Sequence, residues 1–134
     1  MKRNALLKNI LLFTPLVLFT HLGCAQEKTL NLNQLIGTWE LDLTPENQSD
    51  SKFAIMEIEK IAKNLVEGIF YRKGVKITEG RTNTQSGKIY VALVSGDNSG
   101  TYNTSLYLEN GKLYGSTHSI KKDFLSVWIA KKIN

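Results

Sequence analysis

Short apolar segments with alternating polar residues, separated by turn-forming residues, fill the chain from residue 35 to its end. In the first of them, Trp39, Leu41 and Leu43 alternate with Glu40 and Asp42. This is the period-2 pattern of a strand with one face exposed to water. Turn signals recur about every 8–14 residues, a spacing typical of an all-β sandwich or barrel.

The turn signals divide this region into eight strands. Asn110-Gly111 is the strongest of them, because a type I′ hairpin turn needs a positive φ at both central residues. A longer, five-residue turn is predicted at Gly96–Gly100. Short turns make sequential strands antiparallel, and eight such strands can close into a small barrel. The predicted fold is therefore all-β, an eight-stranded antiparallel up-and-down barrel with strands at 36–43, 53–62, 65–71, 75–83, 88–95, 101–109, 112–119 and 124–132.

The segment 53–66 is ambiguous. Ile55, Ile58, Ala62 and Leu65 fall at helical spacing, which favours an amphipathic helix. Alternation across the same residues favours a strand, with a turn at Lys63-Asn64 leading into the next one. We predict the hairpin because every neighbouring segment is β.

The N-terminus reads as an export signal. Lys2, Arg3 and Lys8 form a positive head, followed by an apolar run at 11–22 that is too short to span a bilayer, which needs about 20 helical residues. The sequence at 22–25, Leu-Gly-Cys-Ala, resembles the lipobox of bacterial lipoproteins. That resemblance implies cleavage before Cys24 and lipidation of its thiol, including a fatty acyl chain such as palmitate. The alternative is an ordinary secretory signal cut after Ala25.

These features predict a domain organisation and a location. Residues 1–23 are the signal peptide, residues 24–34 are the lipidated cysteine and a polar linker, and residues 35–134 are the barrel domain. Each buried CH₂ of an acyl chain contributes about 0.8 kcal/mol of membrane affinity. The expected location is the bacterial cell envelope, lipid-anchored at the outer membrane, with a secreted or periplasmic protein as the alternative.

Charge and cysteine content exclude several classes of function. The net charge of +5 includes three basic residues of the signal, whereas all 12 acidic residues follow it, so the mature chain carries 14 basic and 12 acidic side chains. A net charge of +2 without a basic stripe argues against nucleic acid as a partner. Cys24 is the only cysteine, so no internal disulfide or multi-thiolate zinc site can form.

The start of the first strand, Gly37-Thr38-Trp39, resembles the Gly-x-Trp motif that opens lipocalins and related calycin barrels. The resemblance implies that Trp39 seals the closed end of the barrel against a basic residue of the last strand, with Lys131 or Lys132 as candidates. Avidin-like barrels begin similarly, but their biotin-contacting residues find no match here.

Catalytic chemistry finds little support in the sequence. His118 is the single histidine of the mature chain, with Ser116, Ser119 and Asp123 nearby in sequence. Neighbouring residues of a strand point to opposite faces, and no nucleophile-elbow motif is present. We expect no catalytic residue, no metal and no cofactor.

The remaining candidates are aromatic and polar residues on strands, which would line a ligand cavity if they point inward: Tyr71, Arg81, Asn83, Tyr90, Tyr102, Thr104, His118 and Trp128. Three functions follow. The leading hypothesis is a non-enzymatic envelope protein that binds a small apolar or amphipathic ligand inside the barrel. The second is a protein-binding module with a filled barrel, acting as an inhibitor or as an accessory subunit of an envelope complex. The third, least supported, is a small hydrolase.

Overall fold

A computed structural model of the chain describes residues 29–134. Eight antiparallel strands follow one another around a closed barrel, and the last strand pairs with the first. This confirms the predicted fold class. The strands are β1 (Gly37–Asp42), β2 (Phe53–Ala62), β3 (Leu65–Tyr71), β4 (Ile77–Asn83), β5 (Ile89–Asp97), β6 (Gly100–Glu109), β7 (Lys112–Ser119) and β8 (Phe124–Lys132).

The ambiguous segment is a hairpin, as predicted. The turn between β2 and β3 lies at Lys63-Asn64, where Lys63 has a positive φ of 58°. Ala54, Met56 and Ile58 all point into the barrel and are buried. The strand period brings these three side chains into one core, and this tertiary burial decides against the helical spacing of the same segment.

A short 3₁₀ turn precedes the first strand. Leu32–Leu35 forms a 3₁₀ turn, started by Asn31, whose side chain accepts a hydrogen bond from the backbone N–H of Asn33 at 3.0 Å. Leu35 is fully buried, and Leu30 and Leu32 pack against the core. These leucines therefore cover apolar surface at the end of the barrel where β1 starts.

The turn between β5 and β6 is shorter than the predicted five residues. The two strands stay paired as far as Asp97 and Gly100, leaving Asn98 and Ser99 as the turn. The Asp97 carboxylate accepts hydrogen bonds from the backbone N–H of Ser99, at 2.8 Å, and from its hydroxyl. These bonds hold the turn together from within, so that the strands can continue to its base.

The barrel wall is not paired evenly. β3 and β4 share the pair Leu65–Arg81 and, just outside β4, the bridge Ile69–Lys76. β1 pairs with β8 only from Ile129 to Lys132. Among residues 29–134, the first half of β8 therefore has β7 on one side and no strand on the other.

Candidate functional site

Trp39 closes one end of the barrel, which we call the Trp39 end. Its side chain is buried, and its indole N–H donates a hydrogen bond to the carbonyl of Leu35 at 2.8 Å. The ammonium of Lys132 lies 5.3 Å from the ring centroid and donates to the carbonyl of Gln34 at 2.9 Å. Lys131, the other candidate, points outward and pairs with Glu40 at 3.0 Å. The basic residue over Trp39 is therefore Lys132, not Lys131, because side chains alternate between the two faces of β8.

The barrel interior is filled by its own side chains. Trp39, Met56, Phe70 and Trp128 are each at most 1% exposed. The indole N–H of Trp128 donates to the hydroxyl of Thr117 at 3.0 Å, and that hydroxyl lies 3.0 Å from the Thr104 hydroxyl. Trp128 and Thr104 thus point inward, as the interior-ligand hypothesis requires, but both are hydrogen-bonded to Thr117 and occupy space that a ligand would need.

The opposite end of the barrel, the Tyr102 end, is closed by aromatic rings. Tyr71 and Tyr102 stack with centroids 5.3 Å apart, and Phe124 packs on the other side of Tyr102 at 6.1 Å. The Lys122 ammonium donates to the Tyr102 hydroxyl and lies 5.1 Å from the ring centroid. Two of the predicted ligand-binding residues, Tyr71 and Tyr102, are therefore in contact, as part of this closure.

Two buried hydroxyl groups flank Tyr102. Ser95 pairs with Tyr102 across β5 and β6, and Ser119 lies in the next strand along the same layer. Neither hydroxyl has a hydrogen-bond partner among residues 29–134. A buried polar group left unpaired costs about 1–3 kcal/mol, so this layer is the least satisfied part of the interior.

The outer wall carries a row of three tyrosines. Tyr90, Tyr107 and Tyr114 lie directly opposite one another on β5, β6 and β7. The centroids of Tyr90 and Tyr107 are 5.9 Å apart, and those of Tyr107 and Tyr114 are 5.4 Å apart in a stacked arrangement. Tyr90 is 43% exposed. Aromatic residues in such numbers on the outside of a filled barrel are not needed for its core.

A row of small side chains runs beside the tyrosines. Ala92, Ser105 and Ser116 lie opposite one another on the same three strands, and the row continues to Arg81 on β4 and Val127 on β8. The bulky side chains of the tyrosine row and the small side chains of the neighbouring row together line an open groove of about 1160 Å³. We call this feature the outer groove.

The two ends of the outer groove differ in chemistry. At one end lie Arg81, Asn83 and Asn64; at the other lie Val127, Ile129 and residues 43–47 of the segment between β1 and β2. Arg81 is the one basic side chain along it, and its guanidinium pairs with Glu79 at 3.1 Å. Glu46 lies at the second end, so the lining carries one charge of each sign. Leu43, Pro45, Val127 and Ile129 make this second end the more apolar one, and we call it the apolar end.

Lys88 marks the outer edge of the tyrosine row. Its ammonium lies 5.2 Å from the Tyr107 ring centroid and 2.7 Å from the Glu109 carboxylate. The hydrogen bond and charge of Glu109 raise the pKa of Lys88 above its usual value. The Lys88–Glu109 pair therefore places one charge of each sign beside the aromatic row.

The predicted candidates thus separate into three places. Tyr102 and Trp128 are buried inside the barrel, with Tyr71 at its rim, and Trp128 also borders the outer groove. Arg81 and Tyr90 line the outer groove, whereas His118 is exposed on β7 opposite Leu125, outside the groove lining. Tyr107, Tyr114, Ser105 and Ser116 were not predicted, although the alternation that places Leu106 and Leu113 inside places their neighbours outside.

Cys24 and the export signal lie outside the described residues. Within 29–134, no cluster of histidine, aspartate and glutamate side chains is arranged to hold a metal ion. The described part of the chain also contains no helix with the length and apolar character needed to cross a bilayer.

Fold and surface together define an eight-stranded up-and-down β-barrel, an architecture compatible with ligand binding. Comparison of the chain with protein-family models, with curated proteins and with solved structures finds no match. The case for function therefore depends on the geometry of the barrel itself.

Proposed function

We propose that this chain is a non-enzymatic binding protein of the bacterial cell envelope, anchored through Cys24, and that it binds a partner protein in the outer groove. The observation that carries the proposal is the filled interior: the largest inward side chains, Trp39 and Trp128, are each only 1% exposed. Binding then falls to the outside of the barrel, where the tyrosine row and the groove lie.

The size of the outer groove supports a protein partner. Sites that enclose a small ligand typically have volumes of about 300–1,000 Å³ and bury most of its surface. The outer groove, at about 1160 Å³, is larger, open to solvent and extends across five strands. A polypeptide can fill such a surface, whereas a small molecule would remain largely in water.

The composition of the groove supports the same conclusion. Tyrosine offers a large, rigid contact area at low entropic cost, and serine and asparagine offer adaptable hydrogen bonds. Here Tyr90, Tyr107 and Tyr114 stand beside Ser105 and Ser116. Protein interfaces combine such aromatic anchors with few charges at their centre.

A photo-crosslinker at Tyr90 tests the proposal. We expect benzoylphenylalanine at position 90, expressed in the organism of origin, to give a discrete protein adduct that weakens when Tyr114→Ser is added. The same group at Glu59, exposed on β2 outside the groove, is the control and should give no such adduct. Equal adducts at both positions, or none at Tyr90, would refute the protein-partner proposal.

The two unpaired hydroxyls of Ser95 and Ser119 favour a second candidate, a small ligand held inside the barrel. A polar group inserted between them would satisfy both, at the expense of displacing Tyr102. Native mass spectrometry of protein purified from its own membranes separates the two candidates, because a small co-purifying mass is expected only for the interior ligand.

A further inference from the structure

We propose that the unpaired half of β8 accepts an extended segment of a partner protein as an added strand. This inference rests on the proposed function and specifies how the partner engages the apolar end of the outer groove. The added strand would lie beside Phe124–Trp128, the part of β8 that β1 does not reach.

β1 ends before it can pair with the first half of β8, because the chain turns away from β8 at Asp42. The Asp42 carboxylate accepts a hydrogen bond from the backbone N–H of Thr44 at 2.9 Å, and the N–H of Leu43 donates to the carbonyl of Lys52 at 2.8 Å. Both bonds direct the chain towards β2. No backbone hydrogen bond within 29–134 joins the segment after Asp42 to Phe124–Trp128.

The direction of the unpaired groups follows from the register. Ile133 donates its N–H to the carbonyl of Thr38 at 2.9 Å, on the side where β1 lies. Because the lateral direction of backbone groups alternates along a strand, alternate residues back along β8 point the same way. Leu125 and Val127 therefore direct both N–H and C=O towards the free edge.

The side chains of this edge suit an added strand. Leu125 and Val127 are 67% and 64% exposed, and no charged residue or proline occurs from Phe124 to Ala130. Proteins usually protect a free edge with charges, proline or a bulge, because unpaired backbone invites pairing by another chain. An edge without these protections is suited to strand addition, a known mode of peptide recognition.

The surroundings of the edge favour a single extended segment over a second copy of this chain. Residues 43–47 and Val127–Ile129 line the same end of the outer groove, and an added strand would lie about 4.8 Å from β8. A second copy of this chain would have to bring its own barrel wall and its own segment 43–47 into the same groove. A single extended segment is therefore the better fit.

Charge further defines the partner. The free edge itself is neutral, whereas the exposed residues Lys121, Lys122 and Asp123 precede β8 and carry a net charge of +1. The matching segment is uncharged in its middle, alternates apolar and polar side chains, and carries an acidic residue at the end that lies beside these lysines.

NMR titration with synthetic peptides tests the inference. The probes are end-blocked decapeptides in which valine alternates with threonine or serine and one end carries glutamate. We expect saturable binding that slows hydrogen exchange at the amides of Leu125 and Val127 by roughly tenfold or more. Peptides whose backbone nitrogens facing β8 are N-methylated should not bind, because they keep their side chains but lose the N–H groups that would pair with β8.

Val127→Pro supplies the matching protein variant. Proline removes an N–H that has no partner in the free barrel, and such an edge position tolerates it. The variant should keep its melting temperature and lose peptide binding. Phe53→Ala, which removes another exposed apolar side chain, is the control and should bind normally.

Three results would overturn strand addition: amides of Leu125 and Val127 already protected in the free protein, no binding by any probe, or equal binding of the N-methylated peptides. If the Tyr90 adduct still forms in that case, the outer groove binds a partner without strand addition. If the adduct is also absent, the proposed function itself fails.

Discussion

Single residues fix the Trp39 end of the barrel. Lys132 touches Trp39 through its ammonium and also donates to the Gln34 carbonyl, so that it joins β8 to the 3₁₀ turn. Lys131, its neighbour, makes only an outer pair with Glu40. Adjacent lysines of one strand therefore serve different purposes, because one faces the end of the barrel and the other faces water.

Replacing each lysine by methionine separates these two contacts. Lys132→Met should lower the free energy of unfolding by about 1 kcal/mol, since it removes a cation–π contact worth roughly 0.5–1 kcal/mol at an exposed site and one hydrogen bond. Lys131→Met should change it less, because exposed ion pairs contribute little. Urea unfolding of both variants measures the difference, and equal effects would contradict the assignment of Lys132.

Asp97 predicts how stability depends on pH. Hydrogen bonds from the Ser99 hydroxyl and backbone N–H, followed by that from Arg72, lower the pKa of Asp97 from 3.8 to about 2. A carboxyl whose pKa is lower in the folded state stabilises it above the unfolded pKa, and this contribution disappears as the pH falls towards 2. Asp97→Asn should therefore destabilise the protein at pH 7 and not at pH 2. Asp50→Asn, at another exposed ion pair, is the control, and a pH-independent effect of Asp97→Asn would argue against this linkage.

At the scale of the strands, close packing between β7 and β8 depends on a glycine. Gly115 lies opposite Trp128, and a Cβ there would lie 2.5 Å from the indole ring and 3.0 Å from the Leu106 Cβ. The indole therefore uses the space that a side chain on β7 would occupy. This is how a barrel of this size holds two tryptophans.

Gly115→Ala tests this packing. We expect a loss of about 1–3 kcal/mol, typical of overpacking a dense core, measured by thermal or chemical unfolding. His118→Ala, on the exposed face of the same strand, should stay within about 0.5 kcal/mol of the natural protein. Trp128→Phe in the Gly115→Ala background should recover part of the loss, and a neutral Gly115→Ala would show that the ring has room to move.

For the molecule as a whole, the tyrosine row of the proposed site lies on the half of the barrel nearest the Trp39 end. Residues 32–35 lie at the Trp39 end, and the chain from Cys24 to Asn31 can span at most about 25 Å when fully extended. A lipid on Cys24 would therefore hold the Trp39 end near the membrane, with the outer groove along the side of the barrel.

Cys24→Ser tests the anchor. The variant should move from the membrane fraction to the soluble fraction while keeping the melting temperature of the barrel, because Cys24 precedes the described domain. Intact mass of the natural protein should show the added acyl chains. A membrane-bound variant together with an unmodified natural protein would favour the secretory alternative.

The sequence by itself determined the strands and their order. Alternation and turn residues such as Asn110-Gly111 act locally, and short turns leave antiparallel neighbours as the simple solution. Alternation along β6 places Tyr102 and Leu106 on one face, and both are buried in the barrel. Local patterns were sufficient here because they depend only on neighbouring residues.

Only the tertiary structure decided which residues of each strand face the barrel interior and which face solvent. The β5 sequence is apolar on both sides, so closure of the barrel was needed to place Val91 inside and Tyr90 outside. The outer groove joins side chains from five strands. The free edge of β8 exists because β1, which is distant from β8 in sequence, ends at Asp42. Such features depend on register between distant segments, which no local pattern of residues encodes.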